Sequence, residues 1–541
     1  MAIYSIKNLT FKYKNSKNYA LHNISLEIEE GGFYIICGKS GSGKSTLLKM
    51  MKKELLPNGD LEGEVIYNGK QISQLNGRVS CGEIGFLLQD IDSGLVCDKV
   101  WKELAFGLGN LGYDDNYIGS KVAEVSEYFG ISKWYNRKIS ELSGGSKQIV
   151  SLASIMTLNP KVLLLDEPTS MLDPIAKNNF ANLLSRINKE LGITIVVVEH
   201  NMDSVYDLAT YVIVMDNGEI SANTTPDKLP SVIKAKDFAK YIGLPEFAEI
   251  FSKVGGEQSM PHTHFEQRQW LIDNFYSKIK TSHTNENRTE DYQKQNVLTA
   301  KDLYFRYDKK AEDIIKGATI ELYKGEIVCL LGGNGGGKTT FINLLSRVYK
   351  PYSGKIKMDN NLRIAMLPQN AKGLFVENSV LEELMSTAKL LGKDKALVND
   401  LIEKFELSYI LDNHPYDISG GEVQKLALAK LFLTEPDIII LDEPTQGMDT
   451  ACKEYLRELL TREKANGKSV IVVTHDLRFA SEVGDRIGLF FDGKILSLSS
   501  AEEFFANNSF YTTESGWLSK GYLEDCYTAD RLVNALKELA E

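Results

Sequence analysis

The sequence predicts an α/β protein built from two copies of one domain. The chain has 541 residues, which is more than a single hydrophobic core usually serves, so at least two domains are expected. In each half, one apolar run precedes a glycine-rich loop and another precedes an acidic pair. Such runs are typical of buried parallel strands. Because the same landmarks follow in the same order in both halves, the chain is a duplication of one domain.

The spacing between the two copies is nearly constant. Ser419 follows Ser143 by 276 residues, and the surrounding segments LSGG and ISGG are alike. The interval between the glycine-rich loop and Gln89 is 14 residues longer than the matching interval before Gln369. We expect a surface loop of the first copy to absorb this difference.

Composition excludes several classes of protein. The net charge of −11 does not suit a protein whose main task is to bind nucleic-acid phosphates. The sequence has no apolar run of about 18 residues, and its amino-terminal segment lacks the basic and apolar regions of a signal peptide. The six cysteines form no CxxC pair, which favours a reducing cytoplasm over a disulfide framework or a zinc site.

Changes in composition predict the domain boundaries. Residues 281–295 contain no Leu, Ile, Val, Phe or Met and cannot bury a core, which indicates a polar linker. Helical patterns precede this linker and end the chain. The predicted parts are a first domain over 1–225, a helical extension over 226–280, the linker over 281–296, a second domain over 297–505 and a helical extension over 506–541.

Two glycine-rich loops predict two phosphate-binding sites. Each loop fits G-x-x-x-x-G-K-[ST] between a predicted strand and a predicted helix, and its glycines let backbone N–H groups surround phosphate oxygens. The lysine of each loop would contact the β- and γ-phosphates. A glycine-rich turn with a solvated lysine is the alternative, but it does not account for two copies. The loop residues are Gly38, Lys39, Ser40, Gly41, Ser42, Gly43, Lys44, Ser45 and Thr46, and Gly332, Gly333, Asn334, Gly335, Gly336, Gly337, Lys338, Thr339 and Thr340.

An acidic pair ends a predicted buried strand in each half. The first acid would bind Mg²⁺, together with the hydroxyl that ends the phosphate motif, and the second would orient and polarise the attacking water. Helix-capping acids are the alternative, but they leave the matched phosphate loops unexplained. The acids are Asp166, Glu167, Asp442 and Glu443, and the hydroxyls are those of Ser45 and Thr339.

A serine followed by two glycines lies 23 residues before each Mg²⁺-binding aspartate. Such a helix start can bind an anion, although an ordinary N-capping turn is the alternative. Because each half already has a phosphate loop, a second anion site predicts a nucleotide shared between the halves. Ser419, Gly420 and Gly421 would complete the site of the first loop, and Ser143, Gly144 and Gly145 that of the second.

The order of these motifs resembles that of ATP-binding cassette ATPases. The resemblance covers nearly the whole chain apart from the linker and the helical ends, and it implies ATP and Mg²⁺ as cofactors. It implies two P-loop NTPase domains, each with a mixed sheet, a helical signature subdomain and a small helical extension. It further implies an aromatic residue stacked on adenine, a glutamine that reaches Mg²⁺, a histidine at the γ-phosphate and an aspartate at the interface. These positions are Tyr13, Gln89, His200 and Asp173, and Tyr307, Gln369, His475 and Asp449.

The segments ELAFGLGN at 103–110 and GLPEFAEIF at 243–251 are similar to those of energy-coupling-factor importers, which carry vitamins and transition metals. Asp90-Ile91 departs from this pattern, which often has Asn-Pro. The resemblance implies a motor at the cytoplasmic face of the membrane, with a separate transmembrane coupling protein, a substrate-binding membrane protein and no nucleic acid. A soluble tandem ATPase acting on ribosomes is the alternative, although such proteins usually join their halves by a long charged helical arm.

Two segments after the glutamines, 90–108 and 370–384, are the predicted dock for the membrane partner. They mix acids with apolar anchors, which suits a basic helix. The acids, all expected to be exposed, are Asp90, Asp92, Asp98, Glu103, Glu377, Glu382 and Glu383, and the anchors are Leu95, Val96, Trp101, Leu374, Phe375 and Val376. His262 and His264 form an HxH pair, which we expect to be exposed loop residues rather than a metal site.

Overall fold

The computed structural model describes residues 2–14, 16, 18–170, 172–236, 242–255, 259–276, 295–333 and 335–540. Internal contacts divide the chain into two units, one of Met1–Ser252 with Glu257–Thr263 and one of Lys253–Gly256 with His264–Glu541. Nearly all of the predicted linker, and Asn334 of the second phosphate loop, lie outside the described residues.

The first half of the chain contains two sheets and a group of helices. The strands are β1 (Ala2–Tyr13), β2 (Leu21–Glu29), β3 (Phe33–Gly38), β4 (Gly59–Tyr67), β5 (Lys70–Gln71), β6 (Ile84–Leu87), β7 (Val162–Asp166), β8 (Thr194–Val198), β9 (Tyr211–Asp216) and β10 (Glu219–Thr224). The helices are α1 (Lys44–Met50), α2 (Gly77–Glu83), α3 (Ile91–Gly94), α4 (Val100–Asn110), α5 (Asp115–Tyr128), α6 (Gly144–Met156), α7 (Pro174–Leu191), α8 (Leu229–Lys236) and α9 (Glu246–Val254).

The central sheet of unit 1 has the order β10-β9-β3-β8-β7-β6, in which only β10 is antiparallel to its neighbour. Every residue of β3, β7 and β8 is buried, as the continuous apolar runs predict for strands covered on both faces. A second, antiparallel sheet has the order β2-β1-β4-β5, and side chains of both sheets form one apolar cluster. The carboxyl ends of β3, β7 and β8 therefore meet at one edge, where the candidate residues follow.

Helices α4 to α6 of unit 1 form a separate helical layer around their own apolar cluster. This cluster includes Val100 and Leu104 of α4, Val122 of α5, and Val150 and Ala153 of α6. Because α6 begins directly after Ser143, the layer carries the first Ser-Gly-Gly motif at the start of a packed helix.

The extra residues of the first copy do not form a surface loop, so that prediction is wrong. They add β5, a 3-10 turn and α2 between β4 and β6. The Lys52 ammonium donates to the carbonyls of Ser80 and Ile84 at the end of α2, and the Tyr67 hydroxyl donates to Glu83. The insertion is thus tied into the core because its helix end has buried partners.

The second half repeats this architecture. The strands are β11 (Asn296–Phe305), β12 (Ile315–Tyr323), β13 (Ile327–Leu331), β14 (Ser353–Met358), β15 (Ile364–Leu367), β16 (Ile438–Asp442), β17 (Ser469–Val473), β18 (Arg486–Phe491) and β19 (Lys494–Ser500). The helices are α10 (His264–Asn274), α11 (Lys338–Leu345), α12 (Val380–Leu390), α13 (Lys395–Lys404), α14 (Gly420–Phe432), α15 (Thr450–Ala465), α16 (Leu477–Val483), α17 (Ala501–Asn507), α18 (Glu514–Ser519) and α19 (Ala529–Ala540). The sheet orders are β15-β16-β17-β13-β18-β19 and β12-β11-β14. The two α/β cores confirm the predicted fold class.

Helix α10 packs within unit 2, although the sequence places residues 226–280 in an extension of the first domain. The Tyr276 ring stacks on Tyr522 at 4.5 Å between centroids, and its hydroxyl donates to the carbonyl of Leu518. The Arg268 guanidinium donates to the carbonyl of Lys520. Aromatic stacking and these hydrogen bonds fix α10 on the carboxyl-terminal helices.

Candidate active site

The first glycine-rich loop lies between β3 and α1, as predicted. Gly38 and Gly43 have φ of +138° and +96°, and a Cβ at Gly38 would lie 2.0 Å from the carbonyl oxygen of Met215. Only glycine fits such a close approach in this conformation. The buried Lys44 ammonium donates to the carbonyls of Gly38 and Lys39, so the lysine is hydrogen-bonded to the backbone of its own loop.

The second loop has the same geometry between β13 and α11. Gly332 has φ of +155°, and a Cβ there would lie 2.2 Å from the carbonyl oxygen of Phe490. The Lys338 ammonium donates to the carbonyls of Gly332 and Gly333. Both loops therefore combine glycines in close contact with a neighbouring strand and a lysine that contacts the loop backbone, a pattern typical of phosphate-binding loops.

An aspartate and a hydroxyl of the predicted Mg²⁺ site are in contact in each half. The Ser45 hydroxyl donates to Asp166 at 2.9 Å, and the Thr339 hydroxyl donates to Asp442 at 2.7 Å. Burial raises the pKa of Asp166, and it raises the pKa of Asp442 to about 6. The second oxygen of the Asp442 carboxylate is buried without a hydrogen-bond partner. A divalent cation would satisfy that oxygen, so the donor set fits Mg²⁺.

The acid after each aspartate has a strained backbone. Glu167 and Glu443 have φ of +46° and +49°, a region that non-glycine residues rarely adopt. The backbone N–H of Glu167 donates to Val198, and that of Glu443 donates to Val473, so neighbouring strands hold this conformation. Each of these acids directly follows the strand that ends at the aspartate, β7 or β16.

The histidine and the glutamine contact the acid in the first half. His200 Nε2 lies 2.8 Å from the Glu167 carboxylate, and the Gln89 amide donates to the other carboxylate oxygen at 2.7 Å. Burial raises the pKa of Glu167, but the hydrogen bond from His200, the charges of His200 and Lys44, and the bond from Gln89 outweigh it. The pKa of Glu167 therefore lies below its ordinary value, and the acid is a carboxylate at neutral pH.

The second half assembles the same residues differently. His475 approaches Glu443 through Nδ1 at 2.8 Å, and its backbone N–H also donates to this carboxylate. The Gln369 amide donates to Gln446 instead, and Lys338 lies 3.9 Å from Glu443. The two sites therefore share their residues but not their hydrogen bonds.

The remaining predicted residues lie near the same edges. The Tyr13 and Tyr307 hydroxyls are 3.1 and 3.0 Å from the hydroxyls of Thr46 and Thr340, and both rings are partly exposed, as adenine stacking requires. Asp173 and Asp449 are the N-caps of α7 and α15.

The two Ser-Gly-Gly motifs each begin a helix. Ser143 caps α6, and Ser419 caps α14 in a capping box with Glu422. The Ser419 hydroxyl contacts the Glu422 carboxylate at 2.7 Å, whereas the Ser143 hydroxyl contacts Ser146. Gly144 is exposed and Gly145 is partly exposed at the start of α6, whereas Gly421 is buried at the start of α14.

Two acids of the predicted dock are buried, so their predicted exposure is wrong. The Glu103 carboxylate accepts the backbone N–H groups of Val96 and Cys97. In the second half, the Glu383 carboxylate accepts those of Val376 and Glu377 and also contacts the Lys430 ammonium. Glu103 and Glu383 are 5% and 0% exposed because they hold the loop backbone from inside.

The predicted apolar anchors differ in their exposure to solvent. Phe375 is buried, whereas Val96 and Val376 are 67% and 84% exposed. The two exposed valines occupy corresponding positions, each in a loop that a buried glutamate fixes. Asp92 and Asp98 are exposed, as predicted, but they pair with Lys147 and Lys102.

Of the HxH pair, His264 begins α10 and is not a loop residue, so that part of the prediction is wrong. His264 lies 3.5 Å from the Glu514 carboxylate and packs edge-on to Trp517 within unit 2. Across the described ranges, no group of three or more His, Cys, Asp or Glu side chains could hold a metal ion. Likewise, no described helix is long and apolar enough to cross a membrane.

Sequence reasoning missed one buried acid beside the first site. Glu199 is 2% exposed and accepts the backbone N–H of Thr169 at 3.0 Å. The signal was the strand ending VVVEH in the first half, since the second half has VVTH. A charged residue directly after a buried strand and before a predicted site histidine indicates a specific partner.

The comparison with protein-family models decides the identity. The model described as ABC transporter matches residues 21–170 and 315–446, which include both phosphate loops and both acidic pairs. The chain belongs to the ABC transporter family. As an ABC ATPase, it is a nucleotide-hydrolysing enzyme with two ATP-binding cassettes.

Relatives of this ABC ATPase align along almost its whole length. A protein of Bacillus thuringiensis subsp. konkukian (strain 97-27), provisionally named as an ABC transporter ATP-binding protein, is 37% identical over 94% of both chains. A Bacillus subtilis (strain 168) protein, provisionally named as an HMP/thiamine import ATP-binding protein, is 30% identical over 92% of both chains.

Solved structures share the tandem fold of this ABC ATPase. The archaeal ribosome recycling factor aABCE1, solved with the ribosomal stalk protein aP1, matches with a TM-score of 0.58. It is 23% identical, and the match covers 92% of this chain and 91% of that chain. At this identity the similarity shows the fold alone.

Proposed function

We propose that this ABC ATPase is the motor of an energy-coupling-factor importer that takes up a small nutrient such as a vitamin or a metal ion. The observation that carries the proposal is the full-length similarity to a protein named for HMP/thiamine import. The motor would lie at the cytoplasmic face of the membrane. There it would bind a transmembrane coupling protein and, through it, a substrate-binding membrane protein.

Each site would hydrolyse ATP by polarising a water molecule. Lys44 and Lys338 would hold the β- and γ-phosphates, and Mg²⁺ would neutralise phosphate charge when bound at Asp166 and Asp442. The Glu167 carboxylate would accept a proton from the attacking water, because its pKa lies below the ordinary value and it is therefore ionised. His200 and His475 would contact the γ-phosphate while holding these carboxylates in place.

Each ATP would be shared between the two cassettes. The phosphate loop of one half would pair with the Ser-Gly-Gly motif of the other, so that the halves close on two ATP molecules. Asp173 and Asp449 would then lie at the interface as the N-caps of their helices. Closing and reopening would pass motion to the membrane partner.

The partner would dock on the loops that follow Gln89 and Gln369. Val96 and Val376 supply exposed apolar contacts, and Glu103 and Glu383 fix the backbone beneath them. A basic amphipathic helix suits this surface, because exposed acids lie beside the valines. Because these glutamates hold the loop backbone, a movement of Gln89 or Gln369 would be passed to the docked helix.

The test is recovery of the partner from membranes. Charge reversal at Asp92, Asp98, Glu377 and Glu382 should abolish co-purification of a transmembrane protein, and so should Val96→Asp with Val376→Asp. ATP binding by the isolated chain should be unchanged, since none of these residues contacts a phosphate loop. Full co-purification by both variants would exclude this dock.

The same preparation distinguishes the ribosome alternative. The chain is incubated with ribosomes and ATP and sedimented through sucrose. An importer motor should stay in the supernatant and co-purify with membrane proteins. Co-sedimentation with ribosomes, together with recovery of no membrane partner, would favour the alternative.

A further inference from the structure

Glu199 connects two segments of the first cassette that the proposed reaction uses. It directly precedes His200, which contacts the Glu167 carboxylate. Its own carboxylate accepts the backbone N–H of Thr169, two residues after Glu167. Its backbone N–H donates to Ile36 on β3, the strand that leads into the phosphate loop. Glu199 therefore has a fixed backbone and a side chain that reaches across the site edge.

Thr169 begins the segment that leads from the acidic pair to the interface aspartate. The Leu172 N–H donates to the carbonyl of Thr169, and Asp173 then caps α7. A shift of the Thr169 backbone would therefore be passed to Asp173. The Glu199 carboxyl group ties Thr169 to the segment that carries His200.

The second cassette lacks this connection. Thr474 occupies the corresponding buried position, and its backbone N–H donates to Leu330 as that of Glu199 does to Ile36. The Thr474 hydroxyl accepts the backbone N–H of Asp476 and so stays within its own segment. Because threonine fills this place in the second cassette, packing alone does not require a carboxyl group.

A buried carboxyl group is unfavourable unless hydrogen bonds compensate it. The charged groups that act on Glu199 are Glu167, which opposes a second negative charge, and Lys177, which favours one. The backbone N–H of Thr169 is the partner that gives this carboxyl group a defined direction. The interaction with Thr169 is therefore what the glutamate adds to the first cassette.

We propose that Glu199 is a positioning residue that fixes Thr169, and with it the turn to Leu172, relative to His200 in the first cassette only. It makes the two ATP sites unequal, with the first site held in a single arrangement of histidine, acid and interface segment. The inference rests on the proposed roles of Glu167 and His200, because it supposes that their geometry sets turnover.

The test compares three replacements of Glu199 in the full-length chain. Glu199→Gln keeps an acceptor at the same reach, Glu199→Asp shortens it, and Glu199→Thr copies the second cassette. Turnover is measured in a Glu443→Gln chain, so that hydrolysis at the first site is observed. We expect Glu199→Thr and Glu199→Asp to lower kcat about tenfold. This is less than the ~10²-fold loss that a misplaced group can cause. For all three variants, the KM for ATP should stay within about twofold of the parent value. The kcat of Glu199→Gln should also stay within about twofold.

Hydrogen exchange supplies a second readout that does not need turnover. Backbone amide hydrogen exchange in the peptide covering residues 168–173 should be faster in Glu199→Thr and Glu199→Asp. It should be unchanged in Glu199→Gln. Glu62→Thr, at an exposed position of β4, is the matched control and should alter neither readout. The proposal is wrong if Glu199→Thr and Glu199→Asp leave hydrogen exchange in residues 168–173 unchanged. It is also wrong if Glu199→Gln lowers kcat as much as Glu199→Thr does. Retained turnover after Glu167→Gln would instead overturn the proposed role of Glu167, whatever Glu199 does.

Discussion

At the scale of single residues, the acid that follows each Mg²⁺-binding aspartate is the most constrained group of the site. Its backbone is left-handed, and a neighbouring strand and a histidine hold it there. Such strain costs on the order of 1–3 kcal/mol and persists only where surrounding structure enforces it. Both halves keep this conformation, and in both the carboxylate lies 2.8 Å from the histidine of the site.

The first prediction concerns these acids. Replacing both Glu167 and Glu443 by Gln preserves shape and hydrogen bonding but removes the charge that polarises water. We expect turnover to fall by at least ~10²-fold while ATP affinity is retained. Phosphate release and nucleotide binding measure the two effects separately. Normal turnover in the double variant would show that another group activates the water.

The second prediction concerns the pH dependence of stability at Glu199. Burial raises the pKa of this carboxyl group to about 8, hydrogen bonds from Thr169 oppose the shift, and Glu167 adds to it. The unfolded chain has the ordinary pKa of 4.5, so between pH 4.5 and 8 the folded chain keeps a proton that the unfolded chain releases. The stability that protonated Glu199 contributes is therefore fully present below pH 4.5. It is lost as the pH rises to and through about 8.

Glu199→Gln cannot titrate, so it should lose less stability over this range. The difference in Tm between variant and parent should be more favourable to the variant at about pH 8.5 than at about pH 5. Thermal unfolding at both pH values measures it. An equal difference at the two pH values would mean that Glu199 does not titrate in this window.

At the scale of elements, the loops after the two glutamines are built alike but supported unequally. A buried glutamate on α4 or α12 accepts two loop N–H groups in each half. Only the glutamate of α12 also contacts a lysine, Lys430, since Ser154 occupies the corresponding position on α6. The second loop thus depends on a buried ion pair that the first loop does not have.

The third prediction follows from this difference. Glu383→Ala leaves both the loop N–H groups and the nearly buried Lys430 without their carboxylate, which should cost about 3–5 kcal/mol. Glu103→Ala leaves only the N–H groups, at about 1–3 kcal/mol. The denaturant concentrations at which the two variants are half unfolded show which variant loses more stability. A larger loss for Glu103→Ala would contradict the assigned role of Lys430.

At the scale of the whole molecule, duplication within one chain allows the two ATP sites to differ. A pair of identical chains has two equal sites, whereas this chain has Glu199 in one half and Thr474 in the other. The contacts of the histidines and glutamines also differ between the halves. The tandem arrangement therefore permits unequal hydrolysis without any loss of site residues.

The fourth prediction tests the proposed pairing of the halves. Ser419 is the N-cap of α14 and already carries a Cβ, so a cysteine there adds no new branch to the packed start of this helix. We therefore choose Ser40→Cys with Ser419→Cys in a chain whose six native cysteines are replaced. An ATP-dependent cross-link should form within one chain.

The control for this experiment pairs Ser40→Cys with Ser143→Cys, the motif of the same half. This pair should not cross-link if the ATP is shared between halves. Cross-linking of the control pair, and none of the test pair, would exclude the head-to-tail arrangement.

The sequence alone determined the duplication, the two α/β cores and the residues that gather at each loop edge. This was possible because phosphate loops, buried strands and helix caps are local patterns with short-range physical causes. Only the tertiary structure decided which acids are exposed, as Glu103 and Glu383 show. Their burial depends on backbone N–H groups six and seven residues away that become partners only when the loop folds back.

The tertiary structure also decided how corresponding residues differ between the halves. Gln89 contacts Glu167, whereas Gln369 contacts Gln446, although both follow the same motif order. The link from Glu199 to Thr169 joins residues 30 positions apart on neighbouring strand ends. Such contacts depend on sheet register and on the neighbours that packing supplies, which motif spacing does not specify.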